Sequence, residues 1–137
     1  MKKLFLLPIL FLSVASCSNE TDSVVERDGL AYEKFSNTPF TGKYISYHED
    51  GQLEEKGSYK NGKKEGEWVL YWDNGQLLTK ESYKNGKIEG TVVTYHKNGL
   101  LFDKGRYKNG KKEGEWVLYH SNGQLLRKGS YKNGLRE

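Results

Sequence analysis

Three histidines, His48, His96 and His120, and three glutamates, Glu65, Glu89 and Glu113, recur at multiples of 24 residues in a chain of 137. The chemistry such residues could do is metal binding and carboxylate catalysis. One zinc needs its histidine nitrogens at about 2.0–2.1 Å, and paired glycosidase carboxylates stand about 5–9.5 Å apart. If each copy of the period holds two strands, equivalent residues lie about 10 Å apart, so neither set converges. The histidines then read as aromatic-like residues before a turn, with Trp72 in the fourth place of their column. Nothing supplies a nucleophile, base and orienter together, nor a phosphate loop at a helix start. A non-enzyme with no metal and no cofactor is expected.

Two other sets of residues are candidates for binding. Lys60, Lys63, Lys64, Lys84, Lys87, Lys108, Lys111 and Lys112 all sit at "YKNG" turns, where a basic ridge could touch anionic lipid headgroups at about 1 kcal/mol per cation. The same lysines could equally keep a β-rich surface soluble and discourage edge pairing. Trp68, Leu70, Trp72, Trp116 and Leu118 form an expected aromatic strip for a protein partner, since Trp is favoured at interface hot spots. The competing reading is that the sheet packs on both faces.

These residues are carried by an internal repeat. Copies occupy 35–58, 59–82, 83–106 and 107–130, with a stub at 131–137, and "YKNGKKEGEWVLY" occurs identically at 59–71 and 107–119. Asn-Gly or Asp-Gly pairs begin at 50, 61, 74, 85, 98, 109, 122 and 133, and such pairs between apolar runs are a strong hairpin signal. The expected fold is all-β: an elongated antiparallel meander of hairpin repeats with a 24-residue period, forming a single twisted sheet over residues 30–137. Val69, Val93 and Val117, Tyr71, Tyr95 and Tyr119, Leu77 and Leu101, and Tyr59, Tyr83 and Tyr107 are expected to share the packed side. A three-residue loop at Asp73-Asn74-Gly75 would set Tyr71 opposite Leu77.

The first 16 residues differ. Lys2 and Lys3 precede an apolar run from Leu4 to Val14, too short to span a hydrocarbon core of about 30 Å; this reads as an export signal. Val14-Ala15-Ser16-Cys17 resembles the lipobox of bacterial lipoproteins, which implies acylation of Cys17, the sole cysteine. Ser18 after the cysteine implies outer-membrane sorting. Residues 17–29 read as the lipidated cysteine and a polar tether. Removing residues 1–16 lowers the formal charge from +4 to +2, a near balance that argues against nucleic-acid binding.

The "YKNGKKEGEW" core and the run "YHEDGQLEEKGSYKNGKKEGEW" resemble MORN repeats. More closely, residues 28–137 are similar to the bacterial MORN-repeat-variant family that includes the YwqK-type antitoxins. The resemblance implies that Tyr59, Gly62, Gly66, Tyr71, Gly75, Leu77 and their equivalents are structural, and that the chain serves partner binding, with a toxin as one implied partner. The expected function is a membrane-anchored, non-enzymatic protein-binding lipoprotein, antitoxin- or immunity-like. The alternative is an envelope module that binds lipid headgroups or glycan directly.

Overall fold

The computed structural model describes residues 20–137. The export signal and Cys17 lie outside the described residues. Strands run in chain order as β1 (Glu20–Thr21), β2 (Val24–Arg27), β3 (Leu30–Glu33), β4 (Gly42–Tyr47), β5 (Leu53–Lys60), β6 (Lys63–Tyr71) and β7 (Leu77–Lys84). They continue as β8 (Lys87–Ile88), β9 (Gly90–Tyr95), β10 (Leu101–Lys108), β11 (Lys111–Tyr119), β12 (Leu125–Lys132) and β13 (Leu135–Arg136). From β4 to β13 they form one antiparallel meander, with β1 added in parallel beside β4. The fold is the all-β hairpin array that the spacing predicts. Residues 20–29, expected as tether, instead hold β1 and β2, and β2 pairs with β3 in a separate hairpin.

Two kinds of turn alternate. Asn61 and Gly62 both take positive φ, 50° and 77°, and link the paired Lys60 and Lys63, the geometry of a two-residue type I′ loop. The other turns are three-residue loops. Trp72 donates its N–H to the Gln76 carbonyl at 2.8 Å, and Gly75, at φ 81°, donates to the Trp72 carbonyl at 2.9 Å. The expected register follows, with Tyr71 opposite Leu77, Tyr95 opposite Leu101 and Tyr119 opposite Leu125.

The expected single ladder of Tyr, Val and Leu is not formed. Leu70 pairs with Thr79 while Tyr71 pairs with Leu77, so Leu78 is an extra residue on β7. A one-residue bulge exchanges the faces of the strand beyond it. Leu77 therefore stays with Tyr71, and Tyr83 crosses to the tryptophan side, where its ring meets Trp68 at 6.4 Å between centroids. The opposite face carries a row across the sheet in which Ile45, Lys56, Val69, Lys80, Val93, Lys104, Val117 and Lys128 pair in turn. Lysine stems beside each valine cover apolar surface while their heads stay wet.

The tryptophan side is the better buried one, which reverses the expectation. Trp68 is 0% exposed and Trp116 7%, so they form no exposed strip. Each indole lies over a glycine on the preceding strand, Gly57 under Trp68 and Gly105 under Trp116, and a Cβ at either glycine would overlap the ring. Each indole N–H donates to a carbonyl of that same strand, Ser58 at 3.1 Å and Arg106 at 3.2 Å. A buried indole removes about 150–250 Å² from water, roughly 4–6 kcal/mol of transfer free energy. In the intervening copy Val92 replaces the tryptophan and Glu81 replaces the glycine, so the larger residue on one strand accompanies the smaller one on the next.

Gly105→Ala is expected to lower stability by about 1–3 kcal/mol through overpacking. Combined with Trp116→Val, the alanine should cost far less than it does alone. Chemical denaturation of the four proteins in this cycle checks the coupling.

Candidate functional site

The central aromatic cluster is built by β4, β5, β6 and β7. Tyr44 stacks on Trp68 at 5.8 Å, and Tyr59 meets the same indole edge-on at 4.9 Å. The Lys64 Nζ sits 3.8 Å from the Trp68 ring centroid and 5.3 Å from that of Tyr83, and it pairs with Glu55 Oε1 at 2.9 Å. Lys64, expected on the basic ridge, is thus an internal cation over a buried ring. Lys112 repeats the arrangement 4.1 Å above Trp116 and 5.2 Å from Tyr131, so it too leaves the ridge. Its carboxylate differs: Asp103 stands where Glu55 does, one methylene shorter, and Asp103 Oδ1 is buried with no hydrogen-bond partner among the described residues. Asp103, Lys112, Trp116, Arg127, Tyr131 and Arg136 line the cavity this leaves, about 170 Å³.

Burial in this cluster pushes the Tyr59 hydroxyl up to about 12, with Glu55, Tyr44 and Glu26 adding to the effect. Tyr83 is raised by burial and by donating to Glu81 Oε2 at 2.7 Å. Tyr107 is raised by burial and by Asp103.

The remaining recurrent residues lie along the two edges of the sheet, where they tie each copy to the next. At the lysine edge, Glu65 Oε2 accepts the Asn85 backbone N–H at 2.8 Å, Glu89 that of Asn109 at 2.7 Å and Glu113 that of Asn133 at 2.9 Å. In the first copy Thr41 takes this role toward Asn61. At the opposite edge, His48 and His96 lie 2.9 Å by Nε2 from the carbonyls of Tyr71 and Tyr119, contacts in which the imidazole must donate. The Trp72 indole donates to Tyr95 in the same way at 3.0 Å. Asn74 and Asn98 add donors to Lys97 and Ser121. The glutamates, His48 and His96 therefore have structural partners, Trp72 is half-buried in that column, and His120 is exposed at its end.

Each closed unit is thus a hairpin whose opening glutamate binds the asparagine turn that follows it. Three stretches of the chain are similar to MORN repeat variants. The family model of that description matches residues 40–61, 64–85 and 112–133. Two of the matched MORN spans hold both ends of the clasp, Glu65 with Asn85 and Glu113 with Asn133. Residues 88–109 have the same clasp between Glu89 and Asn109. No curated protein matches the chain.

Of the expected site residues, Trp68 and Trp116 are core, and Leu70 and Leu118 are half-buried beside them on the tryptophan face. Lys60, Lys63, Lys84, Lys87, Lys108 and Lys111 are exposed at the turns. Sequence reasoning missed the two glycines under the indoles. The signal was present in the alignment of copies, where glycine accompanies tryptophan and glutamate accompanies valine.

Asp103→Glu should restore the carboxylate contact to Lys112 and raise stability by about 1 kcal/mol, measured by denaturant titration. The tyrosines give a second expectation. An unfolded tyrosine ionises near pH 10, whereas folded Tyr59 holds its proton to about 12. Stability should therefore be full below pH 10 and fall as pH rises toward 12. Melting curves between pH 8 and 11 should show that decline, and Tyr59→Phe should reduce it, with Tyr83 and Tyr107 supplying the rest.

Proposed function

We propose that this chain is a lipid-anchored, non-enzymatic scaffold that presents a rigid β-repeat surface to a protein partner in the bacterial envelope, in an immunity- or antitoxin-like role. The observation that carries this reading is an apolar patch at the end of the sheet away from the lysine turns. Leu100 is 44% exposed, Phe102 37%, Leu125 56% and Leu126 49%. Leu100 reaches across to Gly123 of the next turn, two residues before Leu125, and the Phe102 ring packs edge-on against His96 at 4.9 Å. Clustered exposed apolar side chains with polar neighbours are what partner surfaces offer, whereas single ones need no explanation.

The repeat gives this patch its rigidity. Phe102 follows Leu101, which is paired with Tyr95, and His96 is held by the Tyr119 carbonyl. A patch fixed by the backbone register loses little freedom on binding. The lipobox-like Cys17 supplies the anchor in this reading, and the MORN resemblance supports a binding role over a catalytic one.

Crosslinking in the native membrane tests the proposal. Phe102→Asp with Leu126→Asp should remove the crosslinked partner while leaving the melting temperature within a few degrees, because both side chains are exposed. Retention of the same partner by this variant would overturn the assignment of the patch.

A further inference from the structure

The two edges of the sheet differ in charge. The turns at 60–63, 84–87, 108–111 and 132–135 hold seven lysines and no acid. The opposite turns, at 48–52, 72–76, 96–100 and 120–124, hold Glu49, Asp50 and Asp73 against Lys97 alone. Lys97 is itself paired with Asp73 at 2.5 Å. The four ion pairs among the described residues involve Lys64, Lys80, Lys97 and Lys128, none of them from the seven. Of the nearest acids, Glu65, Glu89 and Glu113 are half-buried and turn an oxygen inward to the asparagine clasps, and Glu137, exposed beyond the last turn, accepts from the Ser130 hydroxyl at 3.0 Å. The stems of Lys63, Lys87 and Lys111 each run beside the glycine of the following turn, Gly86, Gly110 and Gly134. Successive turns therefore stack in a row, spaced about 10 Å. In the last turn Leu135, 76% exposed, takes the place of those lysines.

The direction of the chain connects this edge to the anchor. β1 runs parallel to β4, with Glu20 beside Lys43 and Thr21 beside Tyr44. β4 begins at Gly42, which pairs with Tyr59, next to the Lys60–Lys63 turn. The chain thus joins the sheet travelling away from the lysine edge. Cys17 precedes Glu20 by three residues, which span at most about 10 Å. From Glu20 the lysine edge is one or two residues off, about 3–7 Å. The far edge begins at His48, five residues along β4 from Lys43, about 17 Å and out of reach.

We propose that the protein stands edge-on to the bilayer, with its lysine turns against anionic lipid headgroups and its opposite edge directed away. This orientation rests on the reading of Cys17 as the lipidated residue. Charge complementarity selects an anionic surface, and the short run from the anchor presents the one edge that carries the complement. The β2–β3 hairpin brings Glu26 close to the first turn, where it lines a cavity with Lys63. The contact therefore falls chiefly on the turns at 84–87, 108–111 and 132–135.

The test uses the full chain, purified with its lipid from a bacterial membrane and reconstituted in phosphatidylglycerol–phosphatidylethanolamine vesicles that contain a headgroup-spin-labelled lipid. A fluorophore is placed at Lys108→Cys or at Ser121→Cys, one on each edge. The label at position 108 should be quenched at least about twofold more strongly than that at 121, a difference lost at about 0.5 M salt. It should also be lost in phosphatidylcholine vesicles and in a Lys84→Glu, Lys87→Glu, Lys111→Glu variant, all still attached to the vesicles. Equal quenching on the anionic vesicles, stronger quenching at 121, or a preference that survives charge reversal would overturn the orientation. Intact mass distinguishes the other failure: a chain with no lipid on Cys17 that does not float with vesicles removes the anchor and the orientation with it.

Discussion

An indole laid over a glycine is the contact on which the sheet depends. A single sheet has no second layer to bury its apolar face, so most of its core must come from side chains lying along their own surface. Trp68 does this by covering Gly57, and its flat ring can approach the backbone only because no Cβ stands between them. The tyrosines on either side, Tyr59 and Tyr83, close the ring edges, and Lys64 closes its face. One residue pair thus determines why aromatic residues recur on one face and why a lysine is drawn inward from a basic turn.

The two edges are subject to a different constraint. Turns of a long array are held to the sheet only at their ends, and successive hairpins could twist apart. Glu65, Glu89 and Glu113 at one edge, and His48, Trp72 and His96 at the other, remove that freedom by reaching one copy ahead. Trp72 and the histidines differ in size and charge yet share a ring N–H at the required position. The column therefore asks for a donor rather than for imidazole chemistry.

Much of this was legible before any coordinates. The Asn-Gly pairs and the period gave the strand order, and the choice of a three-residue loop gave the pairing of Tyr71 with Leu77. What failed was the assumption of unbroken alternation along each strand. A single bulge at Leu78 moves Tyr83 to the other face, and no residue type marks it, because leucine is as acceptable in a bulge as in a strand. The burial of Trp68 was hidden for a related reason: it follows from what stands opposite, Gly57, and a search for functional residues passes over glycines. The clasps were also visible only in part, since the "EG" recurrence shows that a glutamate is needed without showing that its partner is a backbone N–H.

With the faces occupied by packing and the clasps fixed by the fold, the freedom to specialise lies in what the turns and bulges expose. The two-residue turns at 61–62, 85–86, 109–110 and 133–134 are all flanked by lysine, and a requirement repeated in this way suits a planar, extended counterpart such as a charged surface. The other end varies from copy to copy: Glu54, Leu78, Phe102 and Leu126 occupy one column, and Glu49, Asp73, Lys97 and Ser121 another. Variation of that kind suits recognition of a single irregular partner, whose shape need not repeat every 10 Å. In the proposed orientation a uniform edge faces the headgroups and a variable edge, separated from it by strands of six to nine residues, faces the partner, so that one small sheet would address two unlike neighbours at once.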